Sequence, residues 1–159
     1  MSNLFLETNG LKTGISPQDV SGGVSGARVS CDDGSKTAIV IHFATSAATA
    51  FSASLQQHDA ASGGTSKALN VKVNYYYRDD AGSPVKVEVR ADDSGLSATA
   101  DLAAVADKAG YAVIEVLNES LDSDGGFNHI SCDLTADAAK VASALHCIRD
   151  VQNGLGYEI

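Results

Sequence analysis

Thr37 to Gly64, TAIVIHFATSAATAFSASLQQHDAASGG, restricts the fold more than any other part of this chain. Ile39, Ile41 and Phe43 alternate with Val40, His42 and Ala44, a mostly apolar run that predicts a strand buried on both faces. Phe51, Ala53 and Leu55 then alternate with Ser52, Ser54 and Gln56, the pattern of a half-buried antiparallel strand. A small-residue loop joins the two, and a polar, glycine-rich turn closes the second. Two consecutive strands of this kind point to a β-rich domain, and nothing in the stretch has the spacing of an active site.

The same period of two recurs downstream. Val71, Val73, Tyr75 and Tyr77 alternate with Lys72, Asn74 and Tyr76. Beyond the turn Asp79-Asp80-Ala81-Gly82, Val85, Val87 and Val89 alternate with Lys86, Glu88 and Arg90. That pair reads as a hairpin, with Pro84 at a strand's first position, where a missing N–H matters least. Asp32-Asp33-Gly34 between apolar stretches also predicts a hairpin turn, because Asp and Gly tolerate positive φ. Tyr111 to Leu117 and Phe127 to Leu134 read as strands. Leu96 to Gly110 predicts one short helix, with Leu102, Val105, Ala106 and Ala109 on one face and Asp101 near its start. Val141 to Ile148 suits a helix or a strand, and we read it as a strand with Val141, Ser143, Leu145 and Cys147 sharing a face.

At 159 residues the chain is long enough to bury a core without staples. Gly10, Gly14, Pro17 and the run Ser21 to Gly26 interrupt any regular pattern near the start. Residues 1–26 therefore read as a loosely structured, flexible N-terminal arm, and residues 27–159 as a β-sandwich-like domain. The predicted class is mainly β: a single antiparallel sandwich or barrel-like, jelly-roll-like domain with one short helix.

The formal net charge of −9 argues against nucleic acid, since the eleven Lys and Arg are scattered and form no phosphate-binding patch. The opening MSNLFLETNGLKTG lacks the basic and continuous apolar regions of a signal peptide. No apolar run approaches the roughly 20 residues that span a bilayer. Cys31, Cys132 and Cys147 are odd in number and lack CxxC spacing, so they read as reduced small hydrophobes.

The chemistry-bearing residues form no signature. Asp122-Ser123-Asp124-Gly125-Gly126 has the spaced carboxylates of a calcium loop but lacks its third ligand and closing Glu, and reads as a solvated turn. His42, His58, His129 and His146 are far apart and lack metal-ligand spacing. No GxSxG elbow is present, and Gly22-Gly23-Val24-Ser25-Gly26 fails both the P-loop and the dinucleotide fingerprint. Tyr75-Tyr76-Tyr77 reads as core packing with Tyr76 on the opposite side, available to an interface. The expectation is a protein without enzymatic activity: no catalytic, cofactor-binding or metal residue is assigned, and no cofactor.

Three stretches carry a family likeness: AIVIHF with the following small-residue loop and SASLQQHDAASGGTSKAL; YAVIEVLNESLD running into DGGFNHISCDL; and the closing AAKVASALHCIRD. In layout the chain resembles small tailed-bacteriophage virion proteins of the capsid decoration, or cement, and head protein type. The resemblance implies a non-enzymatic virion protein on the capsid surface, assembled in the bacterial host cytoplasm. It implies the major capsid protein as partner and self-association, with a trimer favoured, and neither nucleic acid nor membrane as partner. A head-to-tail connector or tail component shares this fold and composition. A virion-surface carbohydrate-binding module using Tyr76 is a further alternative.

Overall fold

Alternating burial along the strands divides the chain into two antiparallel sheets that face each other. The computed structural model describes residues 9–32, 34–69, 73–79, 85–89 and 99–149. The strands are β1 (Asn9–Asp19), β2 (Val29–Ser30), β3 (Lys36–Phe43), β4 (Phe51–His58), β5 (Ser66–Ala68), β6 (Val73–Asp79), β7 (Val85–Val89), β8 (Thr99–Asp101), β9 (Gly110–Leu117), β10 (His129–Ala136) and β11 (Val141–Arg149). A six-stranded sheet runs in the order β1-β11-β3-β9-β6-β7 and a second in the order β2-β10-β4-β5, with β8 also paired to β4. The fold is mainly β and sandwich-like, as the alternation predicts.

The core is the shared inner layer. β3 contributes Thr37, Ile39, Ile41 and Phe43, and β9 contributes Ala112, Ile114 and Val116. Opposite them lie Phe51, Ala53 and Leu55 of β4 with Ile130, Cys132 and Leu134 of β10. Register fixes these rows: Ile39 pairs Ile114 on one side and His146 on the other, while Leu55 pairs Cys132. Each fully buried large apolar side chain contributes about 1.5–3 kcal/mol through removal from water. Phe43 and Phe51 meet edge to face across the sheets, ring centroids 5.3 Å apart.

Connections between the sheets cluster at the two ends of the sandwich and are fastened by polar side chains. At one end the Asp137 carboxylate accepts the Thr49 and Ala50 N–H groups and the Thr49 hydroxyl. Those bonds hold its pKa down to about 2. At the other end Asn118 donates through Nδ2 to the carbonyls of Cys31 and Gly34, and accepts the Thr37 hydroxyl at 2.9 Å.

Four expectations need correction. The stretch read as a loose arm is a strand from Asn9 to Asp19, paired along β11 through two register shifts. The glycine run after it lies along β10, with bridges from Ser21 to Ala136 and Val24 to Leu134. A Cβ at Gly26 would sit 2.3 Å from the Cys132 carbonyl oxygen, so glycine there permits close backbone approach and is no mark of looseness. Residues 1–8 lie outside the described residues.

Residues 96–98 of the helix read over Leu96 to Gly110 lie outside the described residues, and the rest is instead β8, a 3₁₀ turn at Ala103–Val105 and the start of β9. Asp101 accepts the Ala103 N–H, and Leu102, Val105 and Ala106 are buried, so tertiary packing of these apolar residues overrides a helical period. The Asp32-Asp33-Gly34 turn joins no hairpin: β2 pairs with β10 and β3 with β9 and β11, so it carries the chain from one sheet to the other. Finally, β3 is buried on one face alone. His42 is exposed and Lys36, Ala38 and Val40 are half-buried.

The β6–β7 hairpin forms in the expected phase, Val73 opposite Val89 and Tyr75 opposite Val87, while its turn lies outside the described residues. Val141–Arg149 is a strand. Val141, Ser143 and Leu145 share its outer side; the inner side is Ala142, Ala144, His146 and Ile148.

Candidate functional site

The polar residues singled out in the sequence are dispersed and committed to the scaffold. His58, on β4, is buried, with Nδ1 2.7 Å from the Ser66 hydroxyl on β5 and Nε2 2.8 Å from Ser131 on β10. Burial first, and then the Arg28 charge, hold its pKa below the ordinary value. His129 bonds Asn128, His42 is on the outer face of β3, and His146 is enclosed under β1. His58 and His129 are register neighbours across β4 and β10, while His42 and His146 stand apart from them and from each other. Among the described residues no group of three or more His, Cys, Asp or Glu is placed to hold a metal.

In the loop read as a degenerate calcium motif, the Asp122 carboxylate pairs with Lys67 and accepts the Gly125 N–H. Those contacts hold its pKa below the ordinary value, the Lys67 bond foremost. Lys67 also lies 4.0 Å from the centre of the Phe127 ring. This is a fastened turn. Cys31, Cys132 and Cys147 are all buried free thiols, and burial pushes the pKa of each up, away from nucleophilic chemistry. Tyr75, Tyr76 and Tyr77 lie on β6, paired with Ile114, Val113 and Ala112 of β9.

A cleft of about 350 Å³ opens at the Asn118 end, lined among others by Asp32, Ser35, Glu119, Ser123 and Phe127. Its deepest polar group, Asn118, spends both amide atoms on the backbone and on Thr37. Asp32 accepts from Ser30 and Asn128. These pairings brace the loops around the cleft.

The outer face of the six-stranded sheet is different. The large hydrophobic side chains exposed among the described residues are Leu11, Tyr111, Leu117, Val141 and Leu145. All five lie on β1, β9 and β11, directed away from the core. Register brings them into adjacent rows: Leu11 opposite Cys147, Leu145 opposite Val40 and Val40 opposite Val113, with Tyr111 opposite His42. The charges on the described strands of this face include Lys36, Glu115 and Arg149, the last two 4.0 Å apart, with Asp19 opposite Val141 at one edge, so the face is mixed in charge and largely apolar. The exposed large apolar residues are thus gathered on one face and not scattered singly.

One sequence signal for this face is present on β3. The double-sided apolar character of AIVIHF predicts burial on both faces, and the isolated chain covers one. Two further structural residues gave no sequence signal: Lys140, whose ammonium is taken inside, and Asn118, whose partners are all distant in sequence.

No protein-family model and no curated protein matches this chain. Among solved structures it is similar to the crystal structure of SPBc2 prophage-derived protein YomS, with a TM-score of 0.46 and 9% identity, covering 88% of this chain and 91% of that one. Similarity at that level carries neither a role nor a site across. No helix among the described residues is long and apolar enough to cross a membrane.

Proposed function

We propose that this chain is a non-enzymatic bacteriophage virion structural protein, a capsid decoration protein that binds the outside of the major capsid shell and reinforces it. The observation that carries the reading is the apolar outer face of the six-stranded sheet, with Leu117, Val141, Leu145, Leu11 and Tyr111 exposed together. A partner surface laid on that sheet would give β3 the second buried face that its sequence calls for. The acidic remainder would stay in water and keep neighbouring copies from unwanted contact.

The three stretches that resemble virion proteins correspond in this fold to β3 with β4, to β9 with β10, and to β11, the central strands of both sheets. The likeness therefore lies in the framework and supports a structural role over a catalytic one. Self-association as a trimer on the shell belongs to the same reading.

Cryo-microscopy of the source particle tests it through copy number and position. Hundreds of copies on the outer shell, contacting capsid subunits through the β1-β11-β3-β9 face, are the expected result. A dozen or fewer copies at the portal or tail would overturn it in favour of a connector.

A further inference from the structure

His146 is fully buried on β11, and neither of its ring nitrogens has a hydrogen-bond partner. The neighbouring strand is built around it. Gly14 of β1 lies over the ring, and a Cβ there would come within 2.7 Å of Nε2. The β1 register shifts between Thr13 and Ile15, where the strand passes the imidazole. β1 is an edge strand whose one large buried apolar side chain is Ile15, while Leu11 through Thr13 and Ser16 through Asp19 are exposed. It is held by backbone pairing, by Ile15, by the Asp19 carboxylate, which accepts the Lys140 N–H, and by the Ala27 N–H donated to the Gly14 carbonyl.

We propose that β1 is an acid-releasable strand, seated over the neutral imidazole of His146 and let go when that ring takes up a proton. An imidazolium enclosed without an acceptor loses its hydration with nothing in return, and the shortest route to water is displacement of β1. Among the described residues its register partners provide no counter-charge. On β1 the register partner is Lys12, a cation, and on β3 it is Ile39, with Thr37 and Ile41 beside it on the inner face. The ring's own strand offers Ala144 and Ile148, and the segment passing outside β1 meets it through the Ala27 N–H, while Arg28 is turned to the Ala60 and Gly63 carbonyls. Burial alone depresses the imidazole pKa, from 6.5 to about 4. Release would leave the β11 edge with free N–H and C=O groups, a template for a strand from another chain.

Hydrogen exchange resolved by mass spectrometry and corrected for intrinsic rate tests this on the full chain. Between pH 7 and pH 4.5, protection of residues 9–19 is expected to fall by up to about tenfold per pH unit while residues 129–136 stay protected. In His146→Leu that pH dependence should vanish. In Gly14→Ala, where the added methyl crowds the ring, residues 9–19 should be more than tenfold less protected already at pH 7. Simultaneous loss of protection in both segments would overturn the proposal. So would an unchanged pH dependence in His146→Leu. If the leucine variant does not fold, a nuclear magnetic resonance titration of the wild-type imidazole decides. Protonation coincident with loss of β1 contacts supports the strand release, and protonation with β1 still paired refutes it.

Discussion

Replacing Lys140 by Met should destabilise the protein by about 2–3 kcal/mol, and the figure follows from what surrounds the ammonium. Lys140 is 1% exposed, yet among the described residues no carboxylate pairs with it; Nζ donates to the carbonyls of Ala44, Ala106 and Lys108 at 2.8–3.1 Å. The rings of Phe43 and Phe51 lie 4.8 and 5.1 Å from it. Three hydrogen bonds from a charged donor contribute about 1.5–3 kcal/mol each, and the two rings about 1 kcal/mol more. Against this stands desolvation of the ammonium, several kcal/mol, which is also why burial lowers its pKa, with Asp107 opposing. Methionine keeps the apolar stem and removes that cost. The Ala106 carbonyl retains the Ser46 hydroxyl at 2.7 Å, and the other two carbonyls are near enough to the surface to rehydrate. Hence the loss is a fraction of the gross sum. Urea unfolding followed by circular dichroism reads it as a midpoint shift of about 1 M at a slope typical of small domains. A Met variant as stable as the parent, with unchanged slope, would refute the idea that the ammonium fastens the 44–50, 106–108 and 137–140 connections.

Two further outcomes follow from burial. Because the His146 pKa is depressed in the folded chain, its protonation favours the unfolded state, so stability is full above pH 6.5 and declines as pH falls toward about 4. The integrated loss is about 3 kcal/mol, and the unfolding free energy of His146→Leu should lack that component; a parent whose stability is flat across this window contradicts the assignment. The thiols give the second: Cys132 and Cys31 should resist iodoacetamide in the native protein and react on unfolding, with Cys147, 7% exposed, intermediate. Modification of Cys132 at native conditions would show that the sheets part more readily than described.

Much of the fold was legible because the period of two is strong wherever a strand has one apolar face. β4, β6 and β7 announce themselves in this way, and β3 by an apolar run. The misreadings share one cause. At Gly14 and Gly26 glycine admits a neighbour, the His146 ring and the Cys132 carbonyl, and a local reading cannot tell such a close approach from a flexible linker. Leu102, Val105 and Ala106 are apolar because a 3₁₀ turn and its flank close the sandwich, a tertiary demand that mimics a helical face. On β11 the small inner residues Ala142 and Ala144 and the large outer residues Val141 and Leu145 invert the usual correspondence of size and burial. That inversion is where the candidate surface was hidden. Apolarity on both faces of β3 was visible, but whether the second face is covered by the chain itself is a question of topology.

The central claim, that the outer sheet face seats this protein on a capsid, is tested most directly by co-sedimentation with expanded capsids, comparing the parent with Leu117→Glu and Leu145→Glu. Both residues are exposed, so the variants should keep the parent's unfolding midpoint. The account predicts saturable sedimentation of the parent and at least tenfold weaker binding by each variant. Failure of the parent to sediment, or variants that bind as well as the parent, would contradict it.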